Sequence, residues 1–278
     1  MKQYTSEQLR NVAFVAHGGA GKTSLAESML FLTKGTNRLG RVDDGTSILD
    51  HDPEEVRRGI SISATVGPCV WKDHKINVVD TPGYFDFVGE VKSALRIVDG
   101  AVVVVCGSSG VEVGTEKVWD YVNEKQLPSL VFVNKMDREN ADFGKVVGQL
   151  KEHFGNKLIP IHLPIGAGES FQGIIDLITM KAYLANDKGQ VEEGPIPANL
   201  QDEADSQREA LIDVVAVGDE EIMMKSLEGE TLTQEEVEHS LGLATKSGDV
   251  IPILCGSAAK MVGINLLLDY CTQCLPSP

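Results

Sequence analysis

Residues Ala16 to Thr23 read Ala-His-Gly-Gly-Ala-Gly-Lys-Thr and directly follow the apolar run from Val12 to Val15. A tight glycine turn between a buried strand and a helix presents backbone N–H groups, which together with the helix N-terminus can bind phosphate. Lys22 is placed to reach the β- and γ-phosphates, and the Thr23 hydroxyl is placed to ligate Mg²⁺. Ala16 replaces the usual first glycine, so the match to GxxxxGK[ST] is incomplete. The favoured chemistry is nucleotide binding; the alternative is a structural glycine turn.

A second motif, from Asn134 to Asp137, follows the apolar run from Leu130 to Val133 and could select the base. Guanine presents N1–H and the 2-amino group, and a fixed carboxylate at Asp137 can accept from both. Adenine would place a lone pair against that carboxylate, and a polar site of this kind rejects the wrong partner by roughly 10⁴-fold. Lys135 is expected to lie along the base, and Asn134 to tie this motif to the phosphate loop. The alternative is a polar turn after a strand.

Three further segments complete a switch-like set. Asp80 ends an apolar strand and can hold a metal-bound water, while Gly83 can donate its N–H to the γ-phosphate and move when that phosphate leaves. The Ser61 hydroxyl could complete the Mg²⁺ shell when triphosphate is bound. The small residues from Gly256 to Ala258 would let a backbone N–H reach the guanine O6. Five elements in this order predict a guanine-nucleotide switch.

The chain resembles the translational GTPases and, within them, elongation factor G of a diverged second type. The resemblance covers nearly the whole chain and rests on the sequences at 58–62, 80–83, 134–138, 256–258 and 269–278. It implies a GTPase that binds the ribosome near its factor site and drives translocation of tRNA and mRNA. Family members continue into a β-barrel and further domains, so the chain looks like the GTPase domain alone.

Three positions depart from the family pattern. Tyr84 stands where the family usually has the histidine that orders the attacking water; a phenol can hydrogen-bond this water but cannot act as an imidazolium. Gly19 stands where the family usually has aspartate, which puts in question any cation that this aspartate helps to hold. Ser61 replaces a threonine and keeps its hydroxyl. The first departure leaves an alternative function open, a GTP-binding regulatory or ribosome-protection module with weak or absent hydrolysis.

The motifs and the resemblance together define the expected site. The residues expected to bind GTP or GDP are Ala16, His17, Gly18, Gly19, Ala20, Gly21, Lys22, Thr23, Ser24, Asp80, Thr81, Pro82, Gly83, Tyr84, Asn134, Lys135, Met136, Asp137, Gly256, Ser257 and Ala258. The expected Mg²⁺ ligands are Thr23, Ser61 and, through a water, Asp80; the expected catalytic residues are Lys22, Gly83 and Tyr84. The segment from Arg41 to Ser61 is predicted to move without the γ-phosphate, because only the nucleotide and Mg²⁺ would anchor Ser61.

Composition limits the partners. The chain has 278 residues and a formal net charge of −16, which argues against nucleic-acid binding by the whole surface. A ribosome would then be met through its stalk proteins or through local basic patches, and we expect a monomer with no sequence-specific DNA binding. The odd count of five cysteines and the lack of a signal peptide indicate the cytoplasm. The apolar runs are of strand length, so no membrane span is expected.

Short apolar strands must position these motifs. Strands are predicted near 11–16, 74–80, 100–106 and 129–134, with helices near 21–34, 86–98, 111–126 and 141–154 and an antiparallel edge strand near 62–71. Continuous apolar strands are typical of a parallel sheet with helices on both faces, and its carboxyl edge is where ligands bind. The predicted class is α/β: a P-loop NTPase G domain with a mostly parallel sheet, plus an inserted α+β subdomain.

The insertion follows from the distance between two motifs. About 120 residues separate the motif at 134–137 from that at 256–258, and the surplus begins with strand-like segments and continues with acidic helical stretches at 201–217 and 233–246. We therefore assign residues 1–157 and 249–278 to the G domain and 158–248 to the insertion. Elongation factor G carries a comparable insertion, which the resemblance links to ribosomal stalk proteins. The alternative is that these acidic helices are only a solvated face.

Overall fold

The computed structural model describes residues 2–186, 191–216, 220–227 and 232–278. The strands are β1 (Leu9–Val15), β2 (Thr65–Trp71), β3 (His74–Asp80), β4 (Gly100–Cys106), β5 (Ser129–Asn134), β6 (Leu158–Pro160), β7 (His162–Ile165), β8 (Gly173–Asp176), β9 (Lys181–Ala185), β10 (Val191–Gly194) and β11 (Ile251–Cys255). The α-helices are α1 (Lys22–Leu32), α2 (Pro53–Arg58), α3 (Val88–Ala94), α4 (Val113–Glu124), α5 (Phe143–Phe154), α6 (Gln201–Val215), α7 (Glu220–Leu227), α8 (Gln234–Ser247) and α9 (Ile264–Cys274).

A seven-stranded sheet with the order β2-β3-β1-β4-β5-β11-β6 forms the centre of the fold. All its neighbouring strands are parallel except β2, which pairs with β3 in the predicted antiparallel hairpin. Strands β4, β5 and β11 are buried along their whole length, which requires cover on both faces of the sheet. The predicted α/β class with a mostly parallel sheet is therefore confirmed.

The insertion contributes a second sheet. Strands β7 to β10 form an antiparallel sheet with the order β10-β9-β8-β7, and α6 to α8 follow it in the chain. This sheet is joined to the C-terminal helix, because the Tyr270 hydroxyl on α9 donates to the buried carboxylate of Asp176 over 2.8 Å. The inserted α+β subdomain predicted from the spacing of the motifs is confirmed, and the structure shows that its sheet is antiparallel. The end of the first predicted acidic helix, Val217, lies outside the described residues.

Strand β6 lies elsewhere than the predicted division implies. Residues Leu158–Pro160 pair in parallel with β11 and so form the last strand of the seven-stranded sheet, although 158–248 is assigned to the insertion from sequence. The division into domains itself stays a prediction, with this strand placed on the G-domain side.

Helix α2 is absent from the predicted elements. It has a strong local signal, because Asp52 is its N-cap, Pro53 is its first residue and Glu55 closes a capping box. With six residues it is too short for a periodic apolar pattern to reveal it.

In the described parts of the chain, no helix is both long enough and apolar enough to cross a membrane.

Candidate nucleotide-binding site

A cleft of about 330 Å³ opens at the carboxyl edge of the seven-stranded sheet. The predicted site residues at its surface are Gly18, Gly19, Gly21, Lys22, Thr23, Ser24, Ser61, Gly83, Tyr84, Asn134, Lys135, Asp137 and Ala258. The others lie behind this surface or beside it: Ala16, His17, Ala20, Asp80, Thr81, Pro82, Met136, Gly256 and Ser257. Several of these are buried, as Met136 is, or hold a loop in place, as the Thr81 hydroxyl does by donating to the Phe14 carbonyl.

The phosphate loop has the conformation that only glycine adopts easily. Gly19 and Gly21 have φ values of 82° and 92°, and Gly21 is the N-cap of α1. A Cβ at Gly21 would lie 2.6 Å from the Asn134 Nδ2 atom, so the close approach of these two motifs also requires glycine. The loop therefore ends at a helix N-terminus, where backbone donors and the helix dipole favour an anion.

Gly83 packs directly on the phosphate loop. A Cβ at this position would lie 2.6 Å from the Lys22 Nζ atom and 2.8 Å from the Gly18 Cα atom, so the close packing requires glycine.

Burial shifts the pKa values of two charged residues at the phosphate side. It lowers the pKa of Lys22 to about 8, although the nearby Asp80 carboxylate opposes this shift. It raises the pKa of Asp80 to about 7, although the nearby Lys22 ammonium opposes this shift. Burial thus disfavours the charged forms of both Lys22 and Asp80, because neither group is hydrated. A bound phosphate would favour the charged form of Lys22.

A group of oxygen atoms at the start of α1 can accommodate Mg²⁺. The Thr23 Oγ1 and Ser61 Oγ atoms are 3.1 Å apart, close to the spacing of about 3.0 Å between adjacent ligands in an octahedron with Mg–O distances of about 2.1 Å. The Asp80 Oδ1 atom is buried and has no hydrogen-bond partner among the described residues. No cluster of three or more His, Cys, Asp or Glu side chains in the described ranges could hold a metal by itself. Hydroxyl, water and phosphate ligands, which Mg²⁺ accepts, therefore fit this position.

Protein side chains also hold the segment that contains Ser61. The Ser61 hydroxyl donates to the Asp50 Oδ1 atom over 2.7 Å. The Glu55 carboxylate accepts from four backbone N–H groups, those of residues 51, 52, 62 and 63; burial raises its pKa, but these bonds prevail and lower it. The prediction that only the nucleotide and Mg²⁺ would anchor Ser61 is therefore wrong, because buried carboxylates bind this segment from inside.

Glu27 anchors the other half of the same segment. It lies on α1, is fully buried, and its Oε1 atom accepts from the Ser47 hydroxyl at 2.8 Å and from the N–H groups of Ile48 at 2.6 Å and Leu49 at 3.1 Å. A Cβ at Gly40 would lie 2.3 Å from the Glu27 Oε2 atom. Helix α1, which begins at the phosphate loop, is thus bonded through Glu27 to residues 47–49 of the segment beside the cleft.

The base-reading motif is joined to two other loops by Asn134. Its Nδ2 atom donates to the carbonyl of Ala20 at 3.1 Å, and its Oδ1 atom accepts from the Ala258 N–H at 3.0 Å. Lys135 has a φ of 63° and donates from Nζ to the Gly19 carbonyl over 2.6 Å. The link from Asn134 to the phosphate loop is confirmed, and Asn134 additionally binds the loop after β11.

Asp137 ends this motif at the cleft surface. Its Oδ1 atom is buried and has no hydrogen-bond partner in the parts of the chain that are described. A buried carboxylate oxygen without a donor costs about 1–3 kcal/mol or more, so this atom is suited to accept from a ligand that brings N–H donors. Guanine has such donors at N1 and N2.

Tyr84 is 47 % exposed and its ring covers the phosphate loop, since a Cβ at Gly18 would lie 3.2 Å from the Tyr84 Cζ atom. The hydroxyl-bearing end of the ring is thus next to the loop. His17 faces away, with Nε2 3.5 Å from a Glu112 carboxylate oxygen and its ring against Gly114 at the start of α4. Of these two, only Tyr84 is at the cleft surface.

The sequence did not single out every residue at the cleft surface. The additional residues are Ser28, Leu39, Gly40, Arg41, Val42, Asp43, Gly59, Ile60, Arg138 and Ala259. Half of them, residues 39–43, lie in the long loop between α1 and α2, which has no periodic pattern to place it. Ala259 directly follows the motif that ends at Ala258, and Ser28 lies four residues after Ser24, so an extension of each motif by a few residues would have included them.

A glycine-rich loop after β1, a group of oxygen atoms suited to Mg²⁺ and an Asn-Lys-Met-Asp loop at the end of β5, at one edge of a mostly parallel sheet, are the arrangement of a P-loop GTPase G domain. The family model for the elongation factor Tu GTP binding domain matches residues 7–277, and the chain belongs to this family. A crystal structure of a protein from Thermus thermophilus is similar over 98 % of this chain, with a TM-score of 0.92 and 34 % sequence identity. The chain spans 41 % of the length of that protein. The domain is therefore a translational GTPase G domain, a GTP-binding domain of a GTP-hydrolysing family.

Proposed function

We propose that this chain is the GTP-hydrolysing switch domain of a ribosome-associated elongation factor of the G type, which drives movement of tRNA and mRNA. The observation that carries the proposal is the meeting of the Thr23 and Ser61 hydroxyls 3.1 Å apart at the phosphate loop, in the same cleft as an Asp137 oxygen that has no hydrogen-bond partner among the described residues. The two ends suit the triphosphate and the guanine of one GTP molecule. The antiparallel insertion and the sequence resemblance support the G type.

The roles of the phosphate-side residues follow from their positions. Thr23 and Ser61 would ligate Mg²⁺ and Asp80 would hold one of its waters; the ion would neutralise part of the phosphate charge. Lys22 would compensate charge that develops on the leaving phosphate, and the Gly83 N–H would donate to the γ-phosphate. Tyr84 would orient the attacking water through its hydroxyl.

Loss of the γ-phosphate would release two segments. Ser61 would lose the Mg²⁺ contact and keep its bond to Asp50, while Gly83 would lose its acceptor, so both segments would be held less firmly. The buried anchors Glu27 and Glu55 would limit this movement to the part of the segment nearest the phosphate. The complete factor would act as a monomer in the cytoplasm.

An aromatic and basic surface beside the cleft supports ribosome docking. Phe85 is 42 % exposed, next to Tyr84 in sequence, and the Lys117 Nζ atom lies 4.1 Å from the centre of its ring. The Lys92 Nζ atom lies 4.5 Å from the centre of the Tyr121 ring. In a chain with a net charge of −16, Lys92 and Lys117 are the candidate contacts on this surface for a negatively charged partner such as ribosomal RNA. The insertion, 158–248, would meet the stalk proteins.

The second candidate function is a regulatory or ribosome-protection module that binds GTP with weak or absent hydrolysis. The observation that favours it is Tyr84 at the position of the family's histidine. Release of phosphate from GTP by the full-length protein, with and without ribosomes, separates the two. Strong stimulation by ribosomes supports the elongation factor, and tight GTP binding without stimulated release supports the second candidate.

A further inference from the structure

Ser28 joins the helix after the phosphate loop to the loop after β11. It lies on α1, is 1 % exposed, and its Oγ atom is 2.7 Å from the Ser24 carbonyl oxygen and 3.0 Å from the Ala258 carbonyl oxygen. The hydroxyl has a single hydrogen, which these two carbonyls share. The first contact is the usual bond of a helical serine to the preceding turn. The second spans 230 residues of sequence and ends in the loop proposed to read the guanine O6.

The Ala258 residue is held on both sides. Its N–H donates to the Asn134 Oδ1 atom over 3.0 Å, and its carbonyl accepts from Ser28 and from the Met261 N–H. The Ser257 hydroxyl accepts from the N–H of Lys260. These bonds engage the backbone N–H groups of Ala258 and Lys260, the two residues on either side of Ala259, and hold the loop in place.

One donor of this loop remains for a ligand. Ala259 is exposed at the cleft surface, and its N–H has no protein acceptor in the described part of the chain. The Ala258 N–H already has an acceptor, so the backbone N–H available for O6 is that of Ala259, one residue beyond the segment from Gly256 to Ala258 that the sequence indicated. The Ala259 N–H belongs to the same planar peptide group as the Ala258 carbonyl. Because Ser28 bonds to this carbonyl, it also helps to fix the direction of the N–H.

We propose that Ser28 is a positioning residue for recognition of the 6-oxo group of guanine. Its hydroxyl holds the Ala258 carbonyl so that the Ala259 N–H is presented to the base, while Asp137 reads the opposite N1 and N2 edge. This inference rests on guanine-nucleotide binding at the cleft. It separates base recognition into two parts that can be tested one at a time.

Three diphosphates test it on the full chain in the presence of Mg²⁺. GDP has both edges, inosine diphosphate lacks the 2-amino group but keeps the 6-oxo group, and 6-thioguanosine diphosphate keeps N1–H and the 2-amino group but has sulfur, a weak acceptor, at position 6. In Ser28→Ala, affinities for GDP and inosine diphosphate should fall about fivefold to tenfold, the size of one hydrogen bond. The affinity for 6-thioguanosine diphosphate should change less than about twofold, since little is left to lose.

Two further variants separate the hydrogen bond from packing. Thr33→Val removes another α1 hydroxyl, one that donates to the helix carbonyls of Met29 and Leu30, and should leave all three affinities unchanged. Ser28→Cys keeps a similar volume with a weak donor, and should lose affinity for GDP as the alanine variant does or somewhat less.

The outcomes are distinct. An equal loss for all three diphosphates in Ser28→Ala, or no loss for any, would overturn the positioning role. Wild-type affinity for GDP in Ser28→Cys, together with a loss in Ser28→Ala, would assign the effect to volume and would also overturn it. If the wild-type chain binds ADP as tightly as GDP, the guanine site itself fails, which is a separate result.

Discussion

The hydroxyl of Thr23 on the phosphate loop lies 3.1 Å from the hydroxyl of Ser61, which is 38 residues further along the chain. Asp50 fixes the Ser61 side chain from behind, and the Thr23 side chain is fixed at the first turn of α1. The chain thus brings together two ligands suited to adjacent positions around Mg²⁺ with protein contacts alone. A nucleotide with Mg²⁺ would add its own contacts to those that Asp50 and Thr23 already make with Ser61.

Base choice should depend on the Asp137 carboxylate. Guanine nucleotides should bind at least about 10³-fold more tightly than adenine nucleotides, because adenine would leave this buried oxygen without a donor. Asp137→Asn should shift preference towards xanthine nucleotides, whose C2 carbonyl needs a donor. Competition of GDP, ADP and xanthosine diphosphate against fluorescent GDP measures this, with Asp142→Asn, at the N-cap of α5, as the control. Comparable affinities for GDP and ADP would remove the guanine assignment.

The buried Glu27 carboxylate should hold the segment beside the cleft on α1. Glu27→Ala leaves the Ile48 N–H without an acceptor and removes the nearer of the two acceptors of the Leu49 N–H, the other being the Ser47 hydroxyl, so the free energy of unfolding should fall by about 1–3 kcal/mol. Amide exchange at Ile48 and Leu49 should become faster. Glu54→Ala removes a carboxylate from a partly exposed ion pair with Arg57 and should change stability by less than about 1 kcal/mol. Unchanged amide exchange at 48 and 49 in Glu27→Ala would contradict the anchoring role.

Affinity for Mg²⁺ and GDP should be highest between about pH 7 and 8. Below about pH 7 Asp80, whose pKa burial raises, becomes protonated and cannot hold a metal-bound water; above about pH 8 Lys22, whose pKa burial lowers, loses the charge that phosphate needs. Asp80→Asn should flatten the acidic limb. Asp73→Asn, at an exposed residue, is the control. Retention of the acidic limb in Asp80→Asn would assign it to another group.

The same two groups should contribute to the pH dependence of the unfolding free energy of the nucleotide-free protein. The native state keeps the Asp80 proton up to about pH 7 while the unfolded chain releases it near pH 4, so the unfolding free energy should fall as pH rises through this window. Lys22 releases its proton near pH 8 in the native state and above pH 10 in the unfolded chain, so stability should rise again between these values. Urea unfolding at pH 5, 7.5 and 10 checks the predicted minimum near 7.5.

The hydroxyl of Tyr84 should be needed for stimulated hydrolysis. Tyr84→Phe should abolish ribosome-stimulated turnover and leave GTP affinity nearly unchanged, because the ring that covers Gly18 remains. Single-turnover hydrolysis by the full-length protein, with and without ribosomes, measures this. Tyr4→Phe, at a residue that does not line the cleft, is the matched control. An unchanged stimulated rate in Tyr84→Phe would exclude Tyr84 from catalysis.

Contiguous motifs made most of the site readable from the sequence. A phosphate loop needs glycines, a lysine and a hydroxyl within eight positions, and a parallel sheet needs apolar strands immediately before its binding loops, so Ala16 to Thr23 and Asn134 to Asp137 could be placed on the correct strand ends. The antiparallel hairpin and the inserted sheet also followed from local patterns and spacing. Helix α2 was missed because six residues cannot establish a period.

What the sequence by itself determined is the class of ligand and the order of the motifs, since both depend on neighbouring residues. The tertiary structure alone decided which other distant atoms meet: Ser28 with Ala258, Glu27 with the N–H groups of 48 and 49, and Asn134 with Ala258. Such contacts depend on how helices and loops pack across the sheet, and no local pattern of residues encodes a hydrogen bond between positions separated by 20 to 230 residues. The physical reason is that a side-chain hydroxyl or carboxylate finds its partner only after burial has brought the two segments together.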